Sequence, residues 1–110
     1  MSRSRIMEQV YAFYRLKDGA DRDAFLTHME RVDAPAMRTQ PGVERFNVYL
    51  VEDVPLGQFT YDVVEDIVVD RFETWDRICK APEHQTYVAQ WKQFADADSL
   101  VFVRTRGAGS

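Results

Sequence analysis

Two acids, Glu65 and Asp66, stand side by side within "YDVVEDIVVD", residues 61–70, a run otherwise made of valine and isoleucine. Such a run reads as a β-strand, and adjacent strand residues point to opposite faces. One carboxylate therefore lies on each side of the sheet. On its own face Glu65 has Tyr61, Val63, Ile67 and Val69 for company, whereas Asp66 shares its face with Asp62 and Asp70. Glu65 is thus the lone ionisable group on an apolar surface. Burial there raises a carboxyl pKa toward neutrality and suits it to proton transfer. The alternative is a buried acid held by an arginine or a backbone donor, with no chemistry.

His28 falls three residues after Phe25 and four before Val32, on the inward side of a predicted helix, where an imidazole could exchange protons or simply be a satisfied core residue. Asp33 follows Met29 by one turn, and either looks inward as well or accommodates the backbone opened by Pro35. His84, next to Pro82, reads as an exposed helix-end residue. Tyr14, Tyr49, Tyr61, Trp75 and Trp91 would make a wall for a flat aromatic ligand, or ordinary core. If the strands at 43–53 and 61–70 pair about residue 56, Asn47 falls opposite Glu65 and Tyr49 opposite Val63, so that an amide could hold the acid or a substrate carbonyl.

The elements that must position these groups follow from pattern. "IMEQVYAFYRL", 6–16, is strand one, closed by the turn "KDGAD" with Asp21 as a helix cap. From Arg22 to Gln40, Phe25, Met29, Val32 and Ala36 recur at helical spacing, with Pro35 as an internal kink. Strands two and three form a hairpin around "VPLGQF". A second helix starts near Arg71 with Phe72, Trp75, Ile78 and Cys79 inward, breaks at Pro82, and continues with Tyr87, Val88, Trp91 and Phe94 inward. "SLVFVRT", 99–105, is the last strand. The order βαββαβ predicts an α+β, ferredoxin-like domain over residues 6–104: a four-stranded antiparallel sheet with both helices on one face, and loose tails at 1–5 and 105–110.

Strands one and four are apolar on both faces, as in Tyr11 and Phe13 against Val10, Ala12 and Tyr14, and Val101 and Val103 against Leu100 and Phe102. A sheet face open to water would alternate with polar residues instead. A second copy is the simplest cover, which predicts a homodimer with sheets packed face to face into a barrel-like core.

The chain of 110 residues carries a formal charge of -4 and no basic stripe, which disfavours nucleic-acid binding. No apolar run is long enough to span a membrane, the start "MSRSRIMEQ" lacks the apolar core of a secretion signal, and the single cysteine, Cys79, allows no internal disulfide, so a cytoplasmic location is expected. Glycine-rich phosphate loops, G-x-S-x-G and HExxH are absent, which disfavours nucleotide-dependent transfer, serine hydrolysis and zinc chemistry. Cys79 reads as core.

Two stretches, "FLTHMERVDAPAMRTQPGVERFNVY" and "FETWDRICKAPEHQTYVAQWKQFADADSLVFV", resemble the dimeric α/β-barrel superfamily, and within it the REDY-like family of prodigiosin-type and bisindole pigment pathways. The superfamily includes EthD-like proteins and antibiotic-biosynthesis monooxygenases. The resemblance implies a protein without metal or organic cofactor that acts on an aromatic intermediate between helices and sheet. Many EthD-like relatives have a histidine two residues before the helix proline; this chain has Asp33 there, so a mechanism built on that histidine does not carry over.

Three functions follow. The first is an acid/base enzyme directing tautomerisation, cyclisation or hydrolysis of an indole-pyruvate-derived or pyrrole intermediate, with Glu65 as base, His28 as acid or its partner and Asp33 orienting. The second is a cofactorless monooxygenase. The third is a carrier that shields a reactive precursor.

Overall fold

The structure, a computed structural model, describes residues 7–108. The expected tail at 1–5 and the first residue of the predicted strand one lie outside them, as do the last two residues of the expected C-terminal tail. The chain runs β1 (Glu8–Leu16), α1 (Arg22–His28), a π-helical turn (Met29–Asp33), α2 (Ala34–Arg38), β2 (Val43–Leu50) and β3 (Val63–Val69). It continues with α3 (Phe72–Lys80), a 3-10 turn (Pro82–His84), α4 (Gln85–Trp91) and β4 (Ala95–Thr105). The strands form one antiparallel sheet in the order β2-β3-β1-β4. This is the ferredoxin-like arrangement that the element order predicts.

The helices cover one face. Val10, Ala12 and Tyr14 of β1, Phe46 of β2 and Val63, Ile67 and Val69 of β3 are buried there against Phe25, Met29 and Met37 from the first helical run and Trp75 and Ile78 from α3. Asp21 caps α1 by accepting a 3.0 Å hydrogen bond from the Ala24 N–H. Among the described residues no helix is long and apolar enough to cross a membrane.

Three expectations need correcting. The helix expected over 22–40 does not place Val32 inward: Val32 is 38% exposed, and Asp33, at 6%, takes the inward position. A regular helix advances about 100° per residue, so Phe25, Met29, Asp33 and Met37, each four apart, would drift by about 120° over three steps. The π turn, seen in the Ala34 N–H bonded to the Met29 carbonyl five residues back, absorbs one extra residue and keeps all four on one face.

The hairpin is offset by one residue. Asn47 pairs with Asp66, Val48 with Glu65 and Tyr49 with Val64. The Val51 N–H bonds the Asp62 carbonyl at 2.8 Å, so the loop is centred between Leu56 and Gly57 rather than on residue 56. A one-residue shift moves Asn47 and Tyr49 to the sheet face opposite Glu65.

The last strand begins at Ala95, four residues before the expected Ser99. Its pairing with β1 shifts between Phe13 and Arg15, and Ser99 tethers the irregular stretch. The Ser99 hydroxyl accepts from the Arg15 N–H at 2.8 Å and donates to the Asp96 carbonyl at 2.6 Å.

Candidate active site

The acid pair of β3 divides as alternation demands. Asp66 faces away from the helices and is fully engaged, with Arg45 Nε at 2.9 Å and Gln9 Nε2 at 2.6 Å. Glu65 faces the helices and is 6% exposed. Its neighbour Tyr14 reaches it diagonally across the β1–β3 ladder, since Ala12 is the residue paired with Glu65. The Tyr14 hydroxyl donates a 2.6 Å hydrogen bond to Glu65 Oε2. Oε1 takes no other hydrogen bond among the described residues.

These groups open on a chamber of about 260 Å³ between the sheet and the two helical runs. Its floor is Tyr14, Phe46 and Glu65, and its helical walls carry Asp33, Met37, Trp75, Cys79 and Trp91. His84 and Tyr87, ring centroids 5.6 Å apart and stacked, close one side. The Trp91 ring meets Tyr14 edge-on at 5.0 Å, which fixes the orientation of the phenol. Lys92, exposed, stands at the rim.

Burial sets the protonation states. It pushes the Glu65 carboxyl up to about 8, against the lowering effect of the Tyr14 hydrogen bond, and the Asp33 charge adds to the rise. Burial alone raises Asp33 to about 6. Tyr14 is held well above the usual phenol range by burial and by the Glu65 charge. The Cys79 thiol, buried and close to acids, is pushed up to about 12 and is no nucleophile. Burial lowers His84, so its imidazole is neutral at physiological pH.

The chamber thus holds two carboxyls at neutral pH, one mostly protonated and one mostly ionised. Environments that push two acids apart in this way assign the donor and the acceptor of protons. No group of histidine, cysteine and acid residues among those described has the geometry to hold a metal ion.

Of the residues singled out in the sequence, the structure brings Glu65, Asp33, Tyr14, Trp75 and Trp91 together. His28 is set apart from the chamber: half-buried on α1, its ring lies 5.6 Å from Phe94, and Nε2 is buried without a partner. Asn47, on the other sheet face, accepts from Arg38 Nη2 at 3.2 Å. Tyr49 is 53% exposed. Tyr61 packs with Phe13 and Phe59 on the outer face, at 5.9 and 5.4 Å. His84 reverses the expectation of exposure, being only 9% exposed, because the 3-10 turn at Pro82 folds it back onto Tyr87. Met37 and Tyr87 also line the chamber; Tyr87 had only its place on the expected inward stripe to mark it, and Met37 had no mark, since the expected stripe of the first helix ran through Ala36.

The family profile described as "REDY-like protein HapK" matches residues 8–106. Among solved structures, HapK from Hahella chejuensis superposes with a TM-score of 0.74 at 23% identity, covering 94% of each chain. A hydroxynitrile lyase from Passiflora edulis gives 0.70 at 6% identity over 97% of this chain and 98% of that one. An EthD-family protein from Bacillus halodurans gives 0.65 at 20% identity over 93% and 99%. A protein from Bacteroides fragilis described as dimeric and ferredoxin-like gives 0.65 at 14% identity, over 92% and 96%. At these identities the likeness establishes the shared fold. No curated protein matches by sequence.

Proposed function

The chain belongs to the REDY-like HapK family, and from that premise we propose that it is a cofactor-independent enzyme that moves protons on a small aromatic biosynthetic intermediate held in the Glu65 chamber. The observation that carries this reading is that one aromatic-walled cavity buries two carboxyls, Glu65 and Asp33, whose hold on a proton burial strengthens to different extents. Glu65, oriented by Tyr14, donates a proton to the substrate, and Asp33 removes one. A tautomerisation needs no more than this exchange, and each positioned proton transfer contributes roughly 10² to 10⁴ in rate. Glu65, expected as the base, thereby acts as the acid in place of His28, which stands outside the chamber, and Asp33, expected to orient, acts as the base.

The substrate we favour is an imine or enamine derived from an aromatic 2-oxo acid, of the bisindole or pyrrole pigment type suggested by the family. The working form is a homodimer. Phe59, Val101 and Val103 are each 37–38% exposed on the sheet face away from the helices, beside Tyr11 and Phe13, and a second copy would cover them.

The test is hydrogen exchange. Indole-3-pyruvate with ammonium in deuterium oxide forms the imine, and proton NMR follows loss of the hydrogens on the carbon next to it. The enzyme should accelerate deuterium uptake, and Glu65→Gln should abolish the acceleration while leaving ligand affinity within about threefold. Binding without acceleration would make the protein a carrier, and consumption of oxygen in step with turnover would make it a monooxygenase.

A further inference from the structure

Asp33 is 6% exposed, lines the chamber, and has neither a hydrogen bond nor an ion pair with any described residue. The other acids around the sheet are served: Glu65 by the Tyr14 hydroxyl, Asp62 by the Leu16 N–H at 2.8 Å, Asp66 by Arg45 and Gln9. A buried carboxylate left without a partner is costly, and a cation is what relieves it. None of the described residues supplies one. Lys92, the one lysine or arginine among the lining residues, is exposed at the rim, and the buried His84 is neutral. The rings of Tyr14, Phe46, Trp75 and Trp91 line the same chamber, and the faces of such rings attract cations and repel anions.

We propose that the chamber selects an aromatic ligand carrying a basic nitrogen, an amine or imine bound in its protonated form, with the Asp33 carboxylate as counter-ion. A carboxylate on the same ligand is confined to the rim, within reach of Lys92. This deepens, and rests on, the reading of the chamber as the substrate site.

Three indoles of similar size and different charge test it by calorimetry on the full-length protein at pH 7.5: tryptamine, 3-propylindole and indole-3-propionate. Tryptamine should bind at least tenfold more tightly than 3-propylindole, and indole-3-propionate most weakly. Asp33→Asn should bring tryptamine down to the level of 3-propylindole while leaving the latter within about twofold. Should that variant fold poorly, the wild type carries the same test. Between pH 7.5 and 5, protonation of Asp33 should weaken tryptamine and leave 3-propylindole unchanged; the lining also holds Lys92, Tyr87 and four groups shifted by burial, of which Tyr14 and Cys79 keep their protons over that range, Glu65 largely completes a protonation centred near 8 before Asp33 takes its own near 6, and His84 would disfavour tryptamine by a gain of charge in a second, separable step at the lower end. Equal binding of the three, no binding by any of them, or a tryptamine preference that survives both Asp33→Asn and the change of pH would overturn the inference. A charge preference without catalysed exchange would overturn the enzymatic reading and leave this one standing.

Discussion

Tyr14 and Glu65 sit diagonally across two neighbouring antiparallel strands, and a 2.6 Å hydrogen bond from phenol to carboxylate joins them in the floor of the chamber. The bond favours the charged form of Glu65 and so opposes the upward push of burial. Tyr14→Phe removes it without changing the shape of the floor. Hydrogen bonds to charged groups contribute about 1.5–3 kcal/mol, which corresponds to a rise of roughly one to two pKa units. If protonated Glu65 is the proton donor, the alkaline limb of the pH–rate profile, expected near 8, should move up by about that much. An unmoved limb would assign the titration to another group.

The two raised carboxyls also predict how stability depends on pH. Glu65 has an ordinary value of 4.5 and lies at about 8 in the fold; Asp33 goes from 3.8 to about 6. A folded pKa above the unfolded one means that the contribution is fully present below about pH 4 and is lost as pH rises, through 6 for Asp33 and 8 for Glu65. Ionising Glu65 in the fold should cost on the order of a few kcal/mol, so Glu65→Gln, which still accepts from Tyr14, should melt roughly 10 °C or more above the wild type at pH 9. The two melting curves should converge near pH 4 to 5. A constant gap between them, measured by calorimetry across this range, would contradict the burial of an ionisable Glu65.

The outer sheet face gives a prediction about assembly. Val101 pairs with Phe13 across the β1–β4 ladder, and both side chains stand on the face that no helix covers. Sedimentation equilibrium should return twice the 12.8 kDa chain mass. Val101→Glu places a charge in the centre of the proposed contact, where it has no counter-ion, and should weaken dimerisation at least a hundredfold. A chain that is monomeric before the substitution would refute the dimer.

What the sequence could disclose depended on how local each determinant is. Glu65 was legible because strand alternation alone puts it among Val63, Ile67 and Val69, and Asp33 because it lies one turn from Met29. Asn47 was not, since its face depends on whether the hairpin loop is centred on a residue or between two, a half-step that no propensity fixes. His84 was misplaced because Pro82 begins a 3-10 turn, with three residues per turn rather than 3.6, which swings the imidazole inward onto Tyr87. The neighbour of His28, Phe94, comes from the far end of the chain, where the turn after α4 delivers it.

The π turn leads to the last prediction. Phe25, Met29, Asp33 and Met37 are spaced by four, a pattern that an unbroken α-helix would smear around its surface, and the extra residue held in Met29–Asp33 realigns them. Val32, 38% exposed, contributes nothing to the core and is the residue to remove. Deleting a residue from an ordinary helix rotates everything beyond it by about 100° and buries the wrong face. Here the deletion of Val32 would leave spacings of four, three and four, the pattern of a regular amphipathic helix, with the Asp33 carboxylate still inward. The variant should keep its helical circular dichroism and melt within about 5 °C of the wild type, whereas deletion of Val64 from β3, which flips Glu65 to the other sheet face, should abolish folding. A collapse of stability on losing Val32 would mean that the wide turn is itself required, and not merely the means of keeping Asp33 in phase with Phe25.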